Sequence, residues 1–300
     1  IICTYNRDKY LSKAIQSLVD QTLDSSHYEI IVVDNRSTDT TKEIVTEQFS
    51  HISNLRYIYE PIQGLSQARN TGWQNAKGEF VAYLDDDAIA SPKWLEKILE
   101  VFQTIKPMPG AIGGKVEAIW EKQRPSWLSD NLLPFLTIID WSKEPMILTN
   151  KYYIPGANMA FQKVLLSEFG GFSVNLGRKG KRLLSNEELI LCKKMQQQGY
   201  SCYYDPKISV KHHVPAERTT QEYFIKRKYW QGVSNAVLNI EEQSLSRWKR
   251  LQKAKTLLTE LLKNAKLLYI LIRKGNENSL FEKKLYYQEK IGRMLGFIFY

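Results

Sequence analysis

The sequence predicts an α/β fold with a mostly parallel central sheet flanked by helices, followed by a helical C-terminal region. Two observations carry this. Apolar runs that end in polar residues alternate with stretches of helical periodicity through the first part of the chain. From about Gln221 onward only the helical periodicity remains. Size agrees, since 300 residues, 43% of them hydrophobic, can bury a full core.

Each element has its own signal. Ile1 to Thr4 reads as a strand from its first residue, with no initiating methionine before it, so the sequence is expected to start inside that strand. Asp8 to Gln21 places Leu11, Ile15 and Leu18 on one helical face. Glu29 to Asp34 is a buried strand stopping at a carboxylate, and Thr38 to Phe49 a helix entered through Ser37-Thr38-Asp39. Leu55 to Tyr59 is a strand, Ser66 to Ala76 a helix, and Phe80 to Leu84 a strand running into Asp85-Asp86-Asp87. Pro92 opens the next helix, where a missing N–H costs nothing. Beyond Pro107, Trp120, Trp127 and Trp141 with Pro125, Pro134 and Pro145 mark a loop-rich region. Glu187 to Gln198 is helical and stops at Gly199, whereas Tyr200 to Tyr204 and Ile208 to Lys211 read as two short strands. Gly275-Asn276-Glu277-Asn278 breaks the C-terminal helices.

Charge is unevenly placed. From Lys226 to Tyr300 there are sixteen Lys or Arg against six Glu, a net +10 equal to that of the whole chain, so the first 225 residues are neutral overall. A basic tail on a neutral body suits an anionic surface met by an appendage, and without a recognised module nucleic acid is not the expected partner. Leu257 to Ile272 carries Glu260, Lys263 and Lys266, so it is expected to lie on a membrane and not to cross it. Packing against its own domain is the alternative for so amphipathic a segment. Cys3, Cys192 and Cys202 show no paired spacing, which points to neither a disulfide framework nor a zinc site and fits a reducing cytoplasm.

In an open parallel sheet, ligands collect at the carboxyl ends of the strands. Three polar groups fall there: Thr4-Tyr5-Asn6-Arg7, Asp34-Asn35-Arg36-Ser37 and Asp85-Asp86-Asp87. Strand alternation puts Asp85 and Asp87 on one side and Asp86 on the other. Carboxylates so close repel unless a cation neutralises them, and a hard divalent ion shared with phosphate oxygens is the usual solution. Asp34 can accept an imide N–H of uracil or thymine, or serve the turn with Ser37 and Asp39.

A series of motifs runs from residues 1 to 7 (Ile-Ile-Cys-Thr-Tyr-Asn-Arg) through 31 to 39 (Ile-Val-Val-Asp-Asn-Arg-Ser-Thr-Asp) and Gly64-Leu65-Ser66 with Ala68-Arg69-Asn70-Thr71-Gly72 to Tyr83-Leu84-Asp85-Asp86-Asp87. Their order resembles family 2 glycosyltransferases. The likeness spans residues 1 to about 215 and implies the GT-A fold, a Rossmann-like sheet flanked by helices. It also implies a domain over residues 1–225, with a donor half to about 106 and an acceptor half from 107, and a separate basic helical region over 226–300. The implied reaction is metal-assisted, inverting transfer of a sugar from a nucleoside-diphosphate sugar, UDP-linked by preference, to a hydroxyl of a glycan or lipid-linked acceptor.

By the same resemblance Thr4, Tyr5, Arg7 and Asp34 line the nucleobase pocket. Arg69 steadies negative charge, with an ordinary surface arginine as the bland reading, and Asp85 and Asp86 face the donor. Asp87, Asp85 and His212 are the candidate ligands of Mg²⁺ or Mn²⁺. Glu187-Glu188-Leu189-Ile190-Leu191 with Lys194 and Gly199-Tyr200 resembles the family's Glu-Asp-x-Asp-Leu segment, which makes Glu188 the general base and Glu187 the alternate. Here Glu replaces the usual Asp and Ile190 the second acid. Tyr229-Trp230-Gln231-Gly232 departs from the Gln-x-x-Arg-Trp of processive synthases, favouring single-sugar transfer. The rivals are a nucleotide-sugar-binding subunit without turnover and a carboxylate-pair glycoside hydrolase. The expected location is the cytoplasm, peripheral at the inner face of the plasma membrane through residues 247–300; the sequence sets no oligomeric state.

Overall fold

The computed structural model describes residues 1–149, 152–263, 270 and 278–300. In chain order the main elements are β1 (Ile2–Thr4), α1 (Asp8–Val19), β2 (Ile30–Asp34) and α2 (Thr41–Glu43), which continues as a π-helical turn (Ile44–Gln48). β3 (Leu55–Tyr59), α3 (Leu65–Asn75), β4 (Phe80–Asp85), β5 (Ala88–Ala90) and α4 (Trp94–Thr104) follow. Then come β6 (Ala111–Trp120), β7 (Met146–Ile147), β8 (Asn158–Gln162), α5 (Lys163–Glu168), α6 (Glu187–Gln197) and β9 (Cys202–Val214). Three helices close the chain: α7 (Gln221–Gln243), α8 (Arg247–Leu262) and α9 (Asn278–Phe299).

Two compact units account for these elements. The first comprises residues 1–121, 136–174 and 187–214, and the second 122–135, 175–186 and 215–300. They interleave along the sequence.

The first unit holds a nine-stranded sheet in the order β3-β2-β1-β4-β8-β6-β9-β5, with β7 beside β9. β3, β2, β1 and β4 run parallel, as their alternation with helices requires. β2 is buried along its whole length, which is why it reads as an unbroken apolar run. The other half of the sheet departs from the sequence reading: β8 is antiparallel to β4 and to β6, and β5 is antiparallel to β9. The two short strands read near residues 200–211 are one strand, β9, which pairs parallel with β6 through a register shift at Gly114/Val116. At that shift the Ile208 backbone carbonyl oxygen lies 1.8 Å from where a Cβ on Gly114 would sit, so only glycine passes. The helix expected from Thr38 begins at Thr41, because the Asp39 carboxylate accepts the Thr41 N–H and hydroxyl and holds the preceding residues in a turn.

In the second unit Trp127 packs edge-on against Phe224 of α7 and Phe281 of α9, at 5.5 and 5.2 Å between ring centroids. α7 and α9 meet backbone to backbone through two glycines. A Cβ on Gly232 would lie 1.9 Å from the Glu289 carbonyl oxygen, and one on Gly292 1.9 Å from that of Tyr229. Gly232→Val is therefore expected to lower stability by about 3 kcal/mol or more, read as a fall in thermal midpoint; an unchanged midpoint would mean that the helices can part without cost. Of the break read at Gly275-Asn276-Glu277-Asn278, only Asn278 is described, as the first residue of α9, and Leu267, Leu268 and Leu271 lie outside the described residues.

Candidate active site

The strand order reverses around β1, so the carboxyl ends of β2, β1 and β4 open on one crevice. Register sets their polar residues side by side, Thr4 opposite Asp34 and Cys3 opposite Asp85. Thr4 and Asp34 are buried, and Tyr5 is exposed. The turn after β1 is tied to the turn after β2, as Asn6 Oδ1 accepts the Thr38 N–H at 2.7 Å and Ser37 Oγ accepts the Asn6 N–H at 3.0 Å.

Asp34 does carry out the turn role. Its Oδ1 accepts the Ser37 N–H at 2.8 Å, while Oδ2 accepts the Tyr57 hydroxyl at 2.7 Å. Each carboxylate oxygen keeps a second acceptor site, so the turn role does not exhaust the group. Burial, then the Asp34 carboxylate, pushes the Tyr57 phenol up, which keeps it a donor. Tyr57 was not singled out in the sequence, although period-2 alternation could have found it: it pairs with Val32, two residues before Asp34, on the same face.

β4 ends at Asp85, and Asp86 and Asp87 form the turn into β5. Antiparallel pairing of β5 with β9 sets Ala88 opposite His212, which brings His212 to this turn. His212 Nε2 lies 3.0 Å from Asp87 Oδ1. One ligand atom from each of Asp85, Asp87 and His212 falls within 4.8 Å of the others. Asp87 and His212 are buried, and His212 Nδ1 has no hydrogen-bond partner. Two carboxylates and an imidazole suit a divalent ion of the Mn²⁺ kind, and the carboxylates alone suit Mg²⁺. Two arginines offset the negative charge, Arg7 at 3.6 Å from Asp87 and Arg69 at 3.7 Å from Asp85. Burial, then Asp87, pushes the Asp86 carboxyl up to about 7.

Arg69 is no surface residue. It is 3% exposed, and besides Asp85 it holds Glu187 Oε1 at 2.5 Å and donates to the Gly156 carbonyl at 3.2 Å. It thereby ties the end of β4 to the start of α6. The two glutamates at that start have different surroundings. Glu187 is buried in the ion pair, whereas Glu188 has a buried Oε2 without a hydrogen-bond partner. Burial, then Glu187, pushes the Glu188 carboxyl up to about 8. A carboxyl group with raised proton affinity and one oxygen without a partner can act as a general base once it is ionised.

A family model described as Glycosyl transferase family 2 matches residues 1–168. Among curated proteins, the glucosyl-dolichyl phosphate glucuronosyltransferase of Haloferax volcanii is 26% identical over 246 residues, covering 80% of this chain and 76% of that protein. The succinoglycan biosynthesis protein ExoM of Rhizobium meliloti is 25% identical over 244 residues, covering 80% and 74%. Among solved structures, the mannosyltransferase PcManGT from Pyrobaculum calidifontis, in complex with GDP-Man and Mn²⁺, has a TM-score of 0.60 at 19% identity and covers 99% of this chain and 84% of that one. S. aureus TarS 1-349 in complex with UDP has a TM-score of 0.57 at 17% identity, covering 99% and 88%. At such identities the structural likeness carries the fold, which is GT-A with a helical C-terminal region. The named relatives place the chain among enzymes and set the glycoside hydrolase reading aside. With more than half of its length matched by the family model, the chain belongs to glycosyl transferase family 2.

Proposed function

We propose that the protein transfers a sugar, with inversion, from a UDP-linked donor to a hydroxyl of a glycan or lipid-linked acceptor. The convergence of Asp85, Asp87 and His212 at the mouth of the crevice carries this reading. Asp85 and Asp87 would hold Mn²⁺ or Mg²⁺ with His212, and the ion would neutralise charge that develops on the departing diphosphate. Arg7, beside Asp87, adds a fixed positive charge at the same place. Arg69 positions Glu187 and leaves the neighbouring Glu188 free to take the proton of the acceptor hydroxyl. That oxygen then displaces the nucleoside diphosphate from the anomeric carbon in one step. Thr4, Tyr5 and Asp34, at the carboxyl ends of β1 and β2, would receive the base, and Asp86, in the same turn as Asp87, would face the donor.

The UDP relation of TarS and the GDP-Man relation of PcManGT leave both nucleotides within reach of the fold, and Asp34 supports uracil. Mass-spectrometric screening of nucleotide sugars with Mn²⁺ is expected to show turnover of UDP-sugars, and chelation is expected to stop it. Calorimetry is expected to give tighter binding of UDP than of ADP, and Asp34→Asn, which keeps an acceptor for the Ser37 N–H, is expected to weaken UDP by about tenfold, the worth of one hydrogen bond to a charged group. Equal affinities for UDP and ADP would remove Asp34 from base recognition.

A further inference from the structure

We propose that α8 lays its outward face on an anionic lipid surface. The helix has two apolar sectors. Ala254 and Leu261 are buried and Leu257 is half-buried, and this sector packs in a small core with Ala236 of α7 and Phe297 of α9. Trp248, Leu251, Leu258 and Leu262 form the other sector and are 69%, 41%, 44% and 72% exposed. At the helical repeat these four fall in one arc adjoining the buried one, along about 20 Å of helix. Single exposed leucines are ordinary, but a second stripe on a helix that has already buried its core face is not accounted for by packing in its own unit.

Charge selects the partner. Arg247 to Lys263 contains six basic residues and one acid, Glu260, which is paired with Lys290 at 2.7 Å. Arg247, Lys249, Lys255 and Lys263 are exposed, and among the described residues none of Arg247, Lys249 and Lys255 has a carboxylate partner. A second copy of the chain would bring two such basic faces together and repel. Nucleic acid would use the cations and leave the tryptophan and leucines in water. An anionic bilayer uses both, with the apolar arc in the headgroup boundary and the cations among lipid phosphates. α9 runs antiparallel to α8, as Lys253 over the Phe297 ring and Lys290 against Glu260 require. Phe299, 76% exposed, therefore lies toward the Trp248 end. Among the described residues no helix is long and apolar enough to cross a membrane, so the contact is in the plane of the surface.

The test is co-sedimentation of the full chain with vesicles containing phosphatidylglycerol and with vesicles of phosphatidylcholine alone, at low and high salt. Binding is expected to the anionic vesicles only and to fade with salt. Arg247→Gln/Lys255→Gln should lower it about 25-fold, roughly fivefold for each cation near the surface, and Leu258→Glu/Leu262→Glu should abolish it. All four positions are exposed, and circular dichroism checks that the helices persist. Turnover of nucleotide sugar in solution, read in parallel, should stay at the wild-type level in both variants, so this inference and the transfer reaction stand or fall separately. No binding to anionic vesicles at low salt, or unaltered binding by either variant, overturns the proposal. So does light scattering that shows a dimer lost in Leu258→Glu/Leu262→Glu, which would assign the face to a second copy of the chain.

Discussion

Asp87→Asn is expected to abolish metal-dependent turnover, by about 10³-fold or more, because loss of several kcal/mol of stabilisation on the leaving diphosphate translates into a factor of that size. The fold should survive. Asparagine keeps an oxygen for His212 Nε2, which lies 3.0 Å from Asp87 Oδ1, and it removes one of three adjacent carboxylates that repel one another in the absence of a cation. Arg7, 3.6 Å from Asp87, loses a partner but remains partly exposed and can be solvated. The measurement is turnover with and without Mn²⁺, alongside the thermal shift that Mn²⁺ and UDP together produce. Wild-type stabilisation by the ion should disappear in the variant. Wild-type turnover that persists in EDTA would remove the ion from the mechanism, whatever the variant does.

Glu188→Gln is expected to lower kcat by about 10²-fold or more with donor affinity nearly intact, since the group acts on the acceptor proton and not on the nucleotide. The neighbouring Glu187→Gln should behave differently. It breaks a buried pair with Arg69, so its main effect is a loss of about 3 kcal/mol in stability, with activity falling through disorder at the start of α6. The pH dependence separates the two further. Burial and Glu187 raise the Glu188 carboxyl from the ordinary 4.5 to about 8, so in the free enzyme the proton is held at neutral pH and the base form fills as pH rises. kcat/KM should therefore climb toward an ascending limb near 8, and Glu188→Gln should flatten it. The same shift has a stability sign: the folded state holds a proton that the unfolded state releases above about 4.5, so this group's contribution falls as pH rises from 4.5 to 8. A dead Glu187→Gln that folds normally, beside an active Glu188→Gln, would reverse the two roles.

Much of the architecture around the parallel strands was legible in the sequence because its signals are local. Leu11, Ile15 and Leu18 lie one helical turn apart, and all three are buried on α1. Ile30 to Val33 is apolar without interruption because β2 is covered on both faces. Gly199 ends α6 with φ +88°, a conformation that glycine adopts at little cost. The acidic turn after β4 stood at a strand end, where a parallel sheet exposes its ligands. The antiparallel half of the sheet had no such signal. β8 joins β4 and β6 through residues far apart in the chain, and the register shift between β6 and β9 made one long strand read as two.

The sequence by itself determined which residue types stand at the ends of β1, β2 and β4 and at the start of α6, since helical and strand periods are properties of neighbouring residues. Tertiary structure alone decided what those residues touch. Arg69 and Glu187 are 118 positions apart, and only the folded chain shows that their pairing occupies one glutamate and leaves Oε2 of the next without a hydrogen-bond partner. His212 reaches Asp87 because β5 pairs with β9, and Asp34 is shared with Tyr57 because β3 lies beside β2. On α8 every leucine carries the same letter, yet Leu261 is buried and Leu262 is 72% exposed. Which face of a helix meets the core depends on the surfaces of α7 and α9 that pack against it. Periodicity gives the angle between two side chains but not the direction of the protein's interior.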